Sequence, residues 1–117
     1  MFERGKIILV PFPFTDLSSQ KIRPALILSE PGRVTGNVIV AFITSKVPKL
    51  EPRGSVVVKE KTPGFGQTGL KIPSLIRCDK IATLDTQIVL GEVGSLSVAS
   101  MKKVNSALRF VLGLTNV

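Results

Sequence analysis

Along most of the chain, apolar residues come in short, β-branched runs cut by turn-forming residues. Lys6–Val10, "KIILV", is the first such run, and Pro11 and Pro13 predict where the strand stops. Ala25–Ser29 is apolar almost without alternation, the pattern of a strand buried on both faces. Pro31-Gly32 and Gly36-Asn37 are turn signals, and "VIVAFI" after them predicts a strand over Val38–Ile43. Valines at 56 to 58 predict another over Ser55–Lys59, and "LIRCD" predicts one over Leu75–Asp79 that ends in charges. Ile88–Val93 fits either a strand or a short turn into the last element. The connection at 44–54, "TSKVPKLEPRG", holds three cations and two prolines, while the Gly-rich stretch at 61–69, "KTPGFGQTG", predicts a mobile loop.

Near the C-terminus the period changes. Val98, Met101, Val104, Leu108 and Val111 recur at helical spacing, with Lys102, Lys103, Ser106 and Arg109 mostly on the other side. Ser97 is placed as the N-cap and Gly113 as the stop. The apolar stripe of this helix is expected to pack on a sheet rather than lie on a membrane surface. Several short strands followed by one helix predict a mainly β (α+β) fold, a small, strongly bent β-barrel closed by a C-terminal helix. Residues 1–117 carry no internal repeat and no linker, so a single domain is expected.

Charge adds a class of partner. Lys and Arg number 16 against 8 Asp and Glu, a formal net charge of +8, which attracts polyanions, nucleic acid before anionic membrane. No apolar run reaches the length of a spanning helix or a signal peptide, so no membrane association is expected. The single cysteine, Cys78, excludes an internal disulfide framework and fits a reducing, cytoplasmic setting. Histidine is absent, which removes His-based zinc sites and the Ser-His-Asp triad. No metal constellation and no cofactor fingerprint is present, so neither is expected.

The residues that remain able to do chemistry gather at predicted strand ends. In Gln20-Lys21-Ile22-Arg23-Pro24, proline biases Arg23 towards an extended conformation where a loop enters a strand. Its fork can meet a phosphate or carboxylate, or pair with Asp16 or Asp79 as a structural ion pair. Thr44 and Ser45, directly after "VIVAFI", can donate to phosphate oxygens or cap a turn. Arg77 and Asp79 fall on one face of their strand and can either pair or flank a phosphate together. Cys78 then points into the core as an inert small hydrophobe, since no histidine is present to activate it as a nucleophile. The Gly-rich loop with Phe65 matches neither a P-loop nor a dinucleotide motif, and reads as a flexible loop, the alternative being a backbone that approaches phosphates or a ring that stacks a base. Two arginines, a hydroxyl pair and a carboxylate suit cleavage of RNA, which carries its own nucleophile in the 2′-OH. The protein need only deprotonate that hydroxyl, neutralise the phosphate and protonate the leaving 5′-oxygen.

The ordered set "GKIILVPFPFTDLSSQKIRPALIL", "VIVAFITSK" and "GLKIPSLIRCDKIATLD" resembles the MazF/PemK (Kid) toxins of type II toxin–antitoxin systems over roughly residues 5–113. The resemblance implies an SH3-like barrel with a C-terminal helix, assembled as a homodimer. It implies sequence-selective, metal-independent cleavage of single-stranded RNA to 2′,3′-cyclic phosphate and 5′-OH ends, and a small cognate antitoxin that covers the RNA groove. By position, Arg23 matches the family's arginine before proline, a transition-state contact. Thr44 and Ser45 match its pair that binds the scissile phosphate, with Gln20 and Lys46 beside them as RNA contacts. Arg77 and Asp79 match its Arg-x-Asp, read in the family as general acid and general base. A guanidinium barely gives up a proton, so phosphate stabilisation is the safer role for Arg77. Some relatives carry a glutamate or histidine before the Arg-Pro; here Ser18, Ser19 and Gln20 stand there, which shifts the burden of the base to Asp79. Two other readings use the same barrel: a non-catalytic nucleic-acid binder, and a protein–protein module.

Overall fold

The computed structural model describes residues 2–12 and 21–114. Six strands form one antiparallel sheet: β1 (Lys6–Phe12), β2 (Lys21–Ile27), β3 (Asn37–Thr44), β4 (Ser55–Val58), β5 (Ser74–Asp85) and β6 (Gly91–Ser95). Their order across the sheet is β4-β5-β3-β2-β1-β6, so β4 and β6 are its edges. The sheet curls into half a barrel, and one helix, α1 (Val98–Leu112), follows it, giving the mainly β, SH3-like architecture with a C-terminal helix.

Strand alternation sorts the apolar side chains onto two faces. Ile7, Leu26, Ala41, Ile43, Val56, Val58, Ile76 and Cys78 form one core with Val104 and Ala107 of α1. Ile8, Val10, Ala25, Ile27, Val38, Val40, Phe42 and Leu84 form a second core on the opposite face. This double burial explains why the runs "ALI" and "VIVAFI" lack a polar face.

Several elements differ from the sequence expectation. β1 runs through Pro11 to Phe12 instead of stopping at Val10. Its pairing with β6 covers only Lys6–Leu9, so the N–H that Pro11 lacks is not needed on that side. β2 starts at Lys21, which places Arg23 inside the strand opposite Val10 rather than at a loop junction. Pairing of β2 with β3 begins only at Ala25, so Pro24 just precedes it. β5 continues past Asp79 to Asp85, and Ile88–Val93 divides between a 3₁₀ turn (Thr86–Ile88) and the start of β6.

The Gly-rich stretch is not a loose loop. Phe65–Thr68 forms a 3₁₀ turn in which the buried Thr68 hydroxyl donates to the Phe65 carbonyl (2.6 Å) and accepts from the Leu70 N–H (3.0 Å). The turn lies so close to β6 that a Cβ at Gly94 would stand 2.3 Å from the Gln67 carbonyl oxygen, and one at Gly69 2.1 Å from that of Val93. Contacts this short leave room only for glycine on both sides.

α1 begins and ends where expected. The Ser97 hydroxyl accepts from the Ser100 N–H (3.1 Å), and Gly113 adopts the left-handed conformation at φ 68°. The buried face is centred on Ser100, Val104 and Ala107, flanked by Met101 and Leu108. Val98, expected in the stripe, is 76% exposed, because the buried face runs through Ser100, Val104 and Ala107 instead. Among the described residues no helix is long and apolar enough to cross a membrane.

Candidate active site

The site is a consequence of register. Ala25 on β2 lies opposite Phe42 on β3, and Phe42 lies opposite Arg77 on β5, so these three side chains share a face of the sheet. Period-two alternation then puts Arg23, Thr44 and Asp79 on that face as well, two residues from Ala25, Phe42 and Arg77. The residues meet in a cleft of about 610 Å³ at the rim of the second core, lined by Arg23, Thr44, Ser45, Lys46, Arg77 and Asp79 together with Lys80. Its apolar floor and walls are Phe12, Phe42, Leu75, Val47, Pro48 and Pro52. Volume and make-up suit a ligand site, mostly apolar with a few convergent polar groups. Gln20, also singled out in the sequence, lies outside the described residues.

Asp79 contributes the only carboxylate among the described residues that line this cleft, and Arg77 grips it with both arms. Arg77 donates through Nε to Oδ1 (3.0 Å) and through Nη2 to Oδ2 (2.8 Å). These hydrogen bonds, more than the accompanying charge attraction, hold the Asp79 carboxyl below its usual range and raise the Arg77 guanidinium. The two side chains are 41% and 44% exposed, so solvent screens the pair and it adds little to folding stability.

Arg23 is half-buried. Among the described residues no carboxylate comes within salt-bridge distance of it, and Asp79 is held by Arg77 instead. The structural ion pair with Asp79 is therefore excluded for the resting protein. Thr44 does cap a turn, since its Oγ1 accepts from the Lys46 N–H (3.2 Å), but its hydroxyl proton is still available to a ligand oxygen. Cys78 points away into the first core with no exposure, and burial first, the Asp79 charge second, push its thiol up to about 11. It is the inert hydrophobe the alternation predicts.

Two features of the cleft escaped the sequence. The first is a bulge in β5. Ala41 pairs with Ile81 but its neighbour Phe42 pairs with Arg77, so Cys78, Asp79 and Lys80 are extra residues facing a single step of β3. The N–H of Cys78 is satisfied from outside the ladder, by the Gly54 carbonyl (3.0 Å). Before the bulge the even positions, Ile76 and Cys78, face the first core; after it, Ala82 and Leu84 face the second. Lys80 follows the later phase and comes into the cleft beside Asp79. The second feature is aromatic. Phe12 and Phe42 pack with ring centroids 4.9 Å apart, and the Lys80 ammonium sits 4.9 Å from the centre of the Phe12 ring. Among the described residues no three His, Cys, Asp or Glu side chains converge as metal ligands would.

The family model of PemK-like, MazF-like toxins of type II toxin–antitoxin systems matches residues 3–112. The chain belongs to this family. Solved structures agree. An endoribonuclease from a mycobacterial species superposes with TM-score 0.73 at 25% identity, covering 98% of this chain and 94% of that one. Toxin MazF-mt6 of Mycobacterium tuberculosis gives TM-score 0.72 at 25% identity, with 95% and 99% covered. An endoribonuclease in complex with its cognate antitoxin, also mycobacterial, shares the fold with TM-score 0.74 at 23% identity, with 98% of both chains covered. A sequence comparison with curated proteins found no match. In this MazF-like toxin an arginine before proline, a Thr-Ser pair and an Arg-x-Asp all line the cleft.

Proposed function

We propose that this MazF-like toxin is an endoribonuclease that cuts single-stranded RNA within the cleft, by attack of the ribose 2′-OH on the adjacent phosphorus. The observation that carries this reading is the convergence of Arg23, Arg77, Thr44 and Asp79 on one face of three neighbouring strands. Asp79 takes the 2′-proton. Arg23 and Arg77 hold the phosphate as charge builds on its free oxygens, and Thr44, Ser45 and Lys46 fix its position. The P–O2′ bond forms as the P–O5′ bond breaks, leaving a 2′,3′-cyclic phosphate and a 5′-OH. DNA lacks the nucleophile and is inert.

The resting ion pair gives this mechanism an entry step. While Arg77 binds both oxygens of Asp79, the carboxylate is a poor base. An incoming phosphate competes for the same guanidinium, and as Arg77 turns to it, Asp79 regains basicity beside the 2′-OH. Charge neutralisation by guanidinium groups leaves no role for a metal ion. The chain acts as one domain and as a homodimer, and a cognate antitoxin silences it by covering the cleft; family membership supports these partners, and the antitoxin-bound relative supports the second.

The test is incubation of the purified protein with a defined single-stranded RNA in excess EDTA, followed by analysis of the ends. Cyclic phosphate and 5′-OH products, absent with Asp79→Ala, are expected. RNA retention without new ends, or cleavage that requires added Mg²⁺, would overturn the proposal.

A further inference from the structure

Transesterification of RNA needs an acid as well as a base, because the 5′-oxygen leaves as an alkoxide unless it is protonated. In the cleft the candidates are few. Arg23 and Arg77 are guanidiniums, which do not release protons under ordinary conditions. Hydroxyls of Thr44 and Ser45 are weaker acids than water-exchangeable ammonium groups. Asp79 is ionised and accepts the 2′-proton. Histidine is absent from the chain. Two ammonium groups remain, those of Lys46 and Lys80.

We propose that Lys80 is the general acid that protonates the leaving 5′-oxygen; this rests on the ribonuclease reading above. Ordinary alternation would send Lys80 to the side of Ile76 and Cys78, into the first core. The three-residue bulge reverses the phase of β5 at this point and delivers Lys80 to the cleft. Bulges that re-aim one side chain recur beside active sites. The ammonium is held over the Phe12 ring at 4.9 Å, and its charge is felt by the Asp79 carboxylate. Both lysines are exposed, but Lys46 belongs to the 44–54 connection and bonds Thr44 through its backbone N–H, whereas the Lys80 ammonium itself is placed on the Phe12 ring beside Asp79. In the reaction, the P–O5′ pair collapses onto the oxygen as Lys80 Nζ hands over a proton. Lys80 is left as a neutral amine, Asp79 as a neutral acid, and exchange with water restores both.

The experiment compares wild type with Lys80→Arg, which keeps the charge but cannot donate the proton. The cleavage site is first mapped on ordinary RNA. An RNA with a bridging 5′-sulfur at that position is then made, because a thiolate leaves without protonation. On the oxygen substrate, Lys80→Arg is expected to lose about 10²- to 10⁴-fold in single-turnover rate. On the sulfur substrate it should match wild type to within a few-fold. An equal loss on both substrates would reduce Lys80 to a charge contact and overturn the assignment, as would no loss on either. Wild type that cuts neither RNA would overturn the ribonuclease reading and this inference with it, whereas wild type that cuts while Lys80→Arg cuts equally well removes only the inference.

Discussion

Replacing Arg23 by alanine tests the site most directly, because this cation has no carboxylate to release among the described residues. Removing Arg77 would also free Asp79, so two effects would be mixed; removing Arg23 leaves the Arg77–Asp79 pair intact. The size of the effect follows from geometry. A guanidinium about 4 Å from the phosphate charge, in a half-buried setting of effective dielectric about 20, is worth about 4 kcal/mol. The independent scale, loss of one preorganised donor to a developing oxyanion, is about 2.7–4 kcal/mol. Both correspond to a fall in kcat of about 100- to 1,000-fold. Folding should barely respond, within about 0.5 kcal/mol, since a half-buried side chain without an ion pair carries little of the fold. The assay is single-turnover cleavage of a fluorogenic RNA at saturating enzyme, paired with thermal melting of the same preparation. Wild-type cleavage by Arg23→Ala would refute the role outright. A loss of rate matched by a large fall in Tm would refute the reasoning in another way, by showing that Arg23 supports the fold.

In Arg77→Ala, the Asp79 carboxyl should climb from its depressed value towards the ordinary aspartate value of about 3.9, as read by carboxyl ¹³C NMR titration. The sign follows from the pair: Arg77 stabilises the ionised form, so its contribution to stability is present above the unfolded pKa and is lost as pH falls through the folded one. An unmoved titration would show that the pair is not formed in solution. Gly94→Ala should cost about 3 kcal/mol and lower Tm by about 10 °C, since its Cβ would collide with the backbone of Gln67 and Thr68; a neutral result would mean that the 3₁₀ turn is not docked on β6. Cys78 should remain unmodified by a thiol reagent in native protein at pH 8 and react fully in denaturant, given its burial and a thiol raised to about 11.

Much of the site was legible because it is built from local rules. "RP", "ITS" and "RCD" each sit on or beside an apolar strand, and alternation alone separates Arg77 and Asp79 from Cys78. Ser97 and Gly113 announced the helix ends by cap chemistry. What stayed hidden depends on partners far away in the chain. The reach of β1 past Pro11 is permitted by where β6 stops pairing, which no property of Pro11 reveals. Gly69 and Gly94 looked like features of flexible and ordinary segments, but each is required by the backbone of the other's segment. The bulge at Cys78–Lys80 is set by β3 and by the Gly54 carbonyl, so Lys80 carries no local mark of facing the cleft. Likewise Val98 fits the helical stripe by spacing, yet where the sheet lies beneath α1 decides that it is exposed.

The interruption in β5 also makes this strand unusually sensitive to its own length. With alternation kept, loss of one codon within Cys78–Lys80 would reverse the phase of the residues that follow, taking Leu84 and Ala82 away from Val38 and Val40 in the second core. A codon lost from the exposed 46–51 stretch would move no strand across the sheet. Insertions and deletions that reshape what this toxin recognises are therefore confined to its connections, while the segment bearing Arg77, Asp79 and Lys80 can change only by substitution.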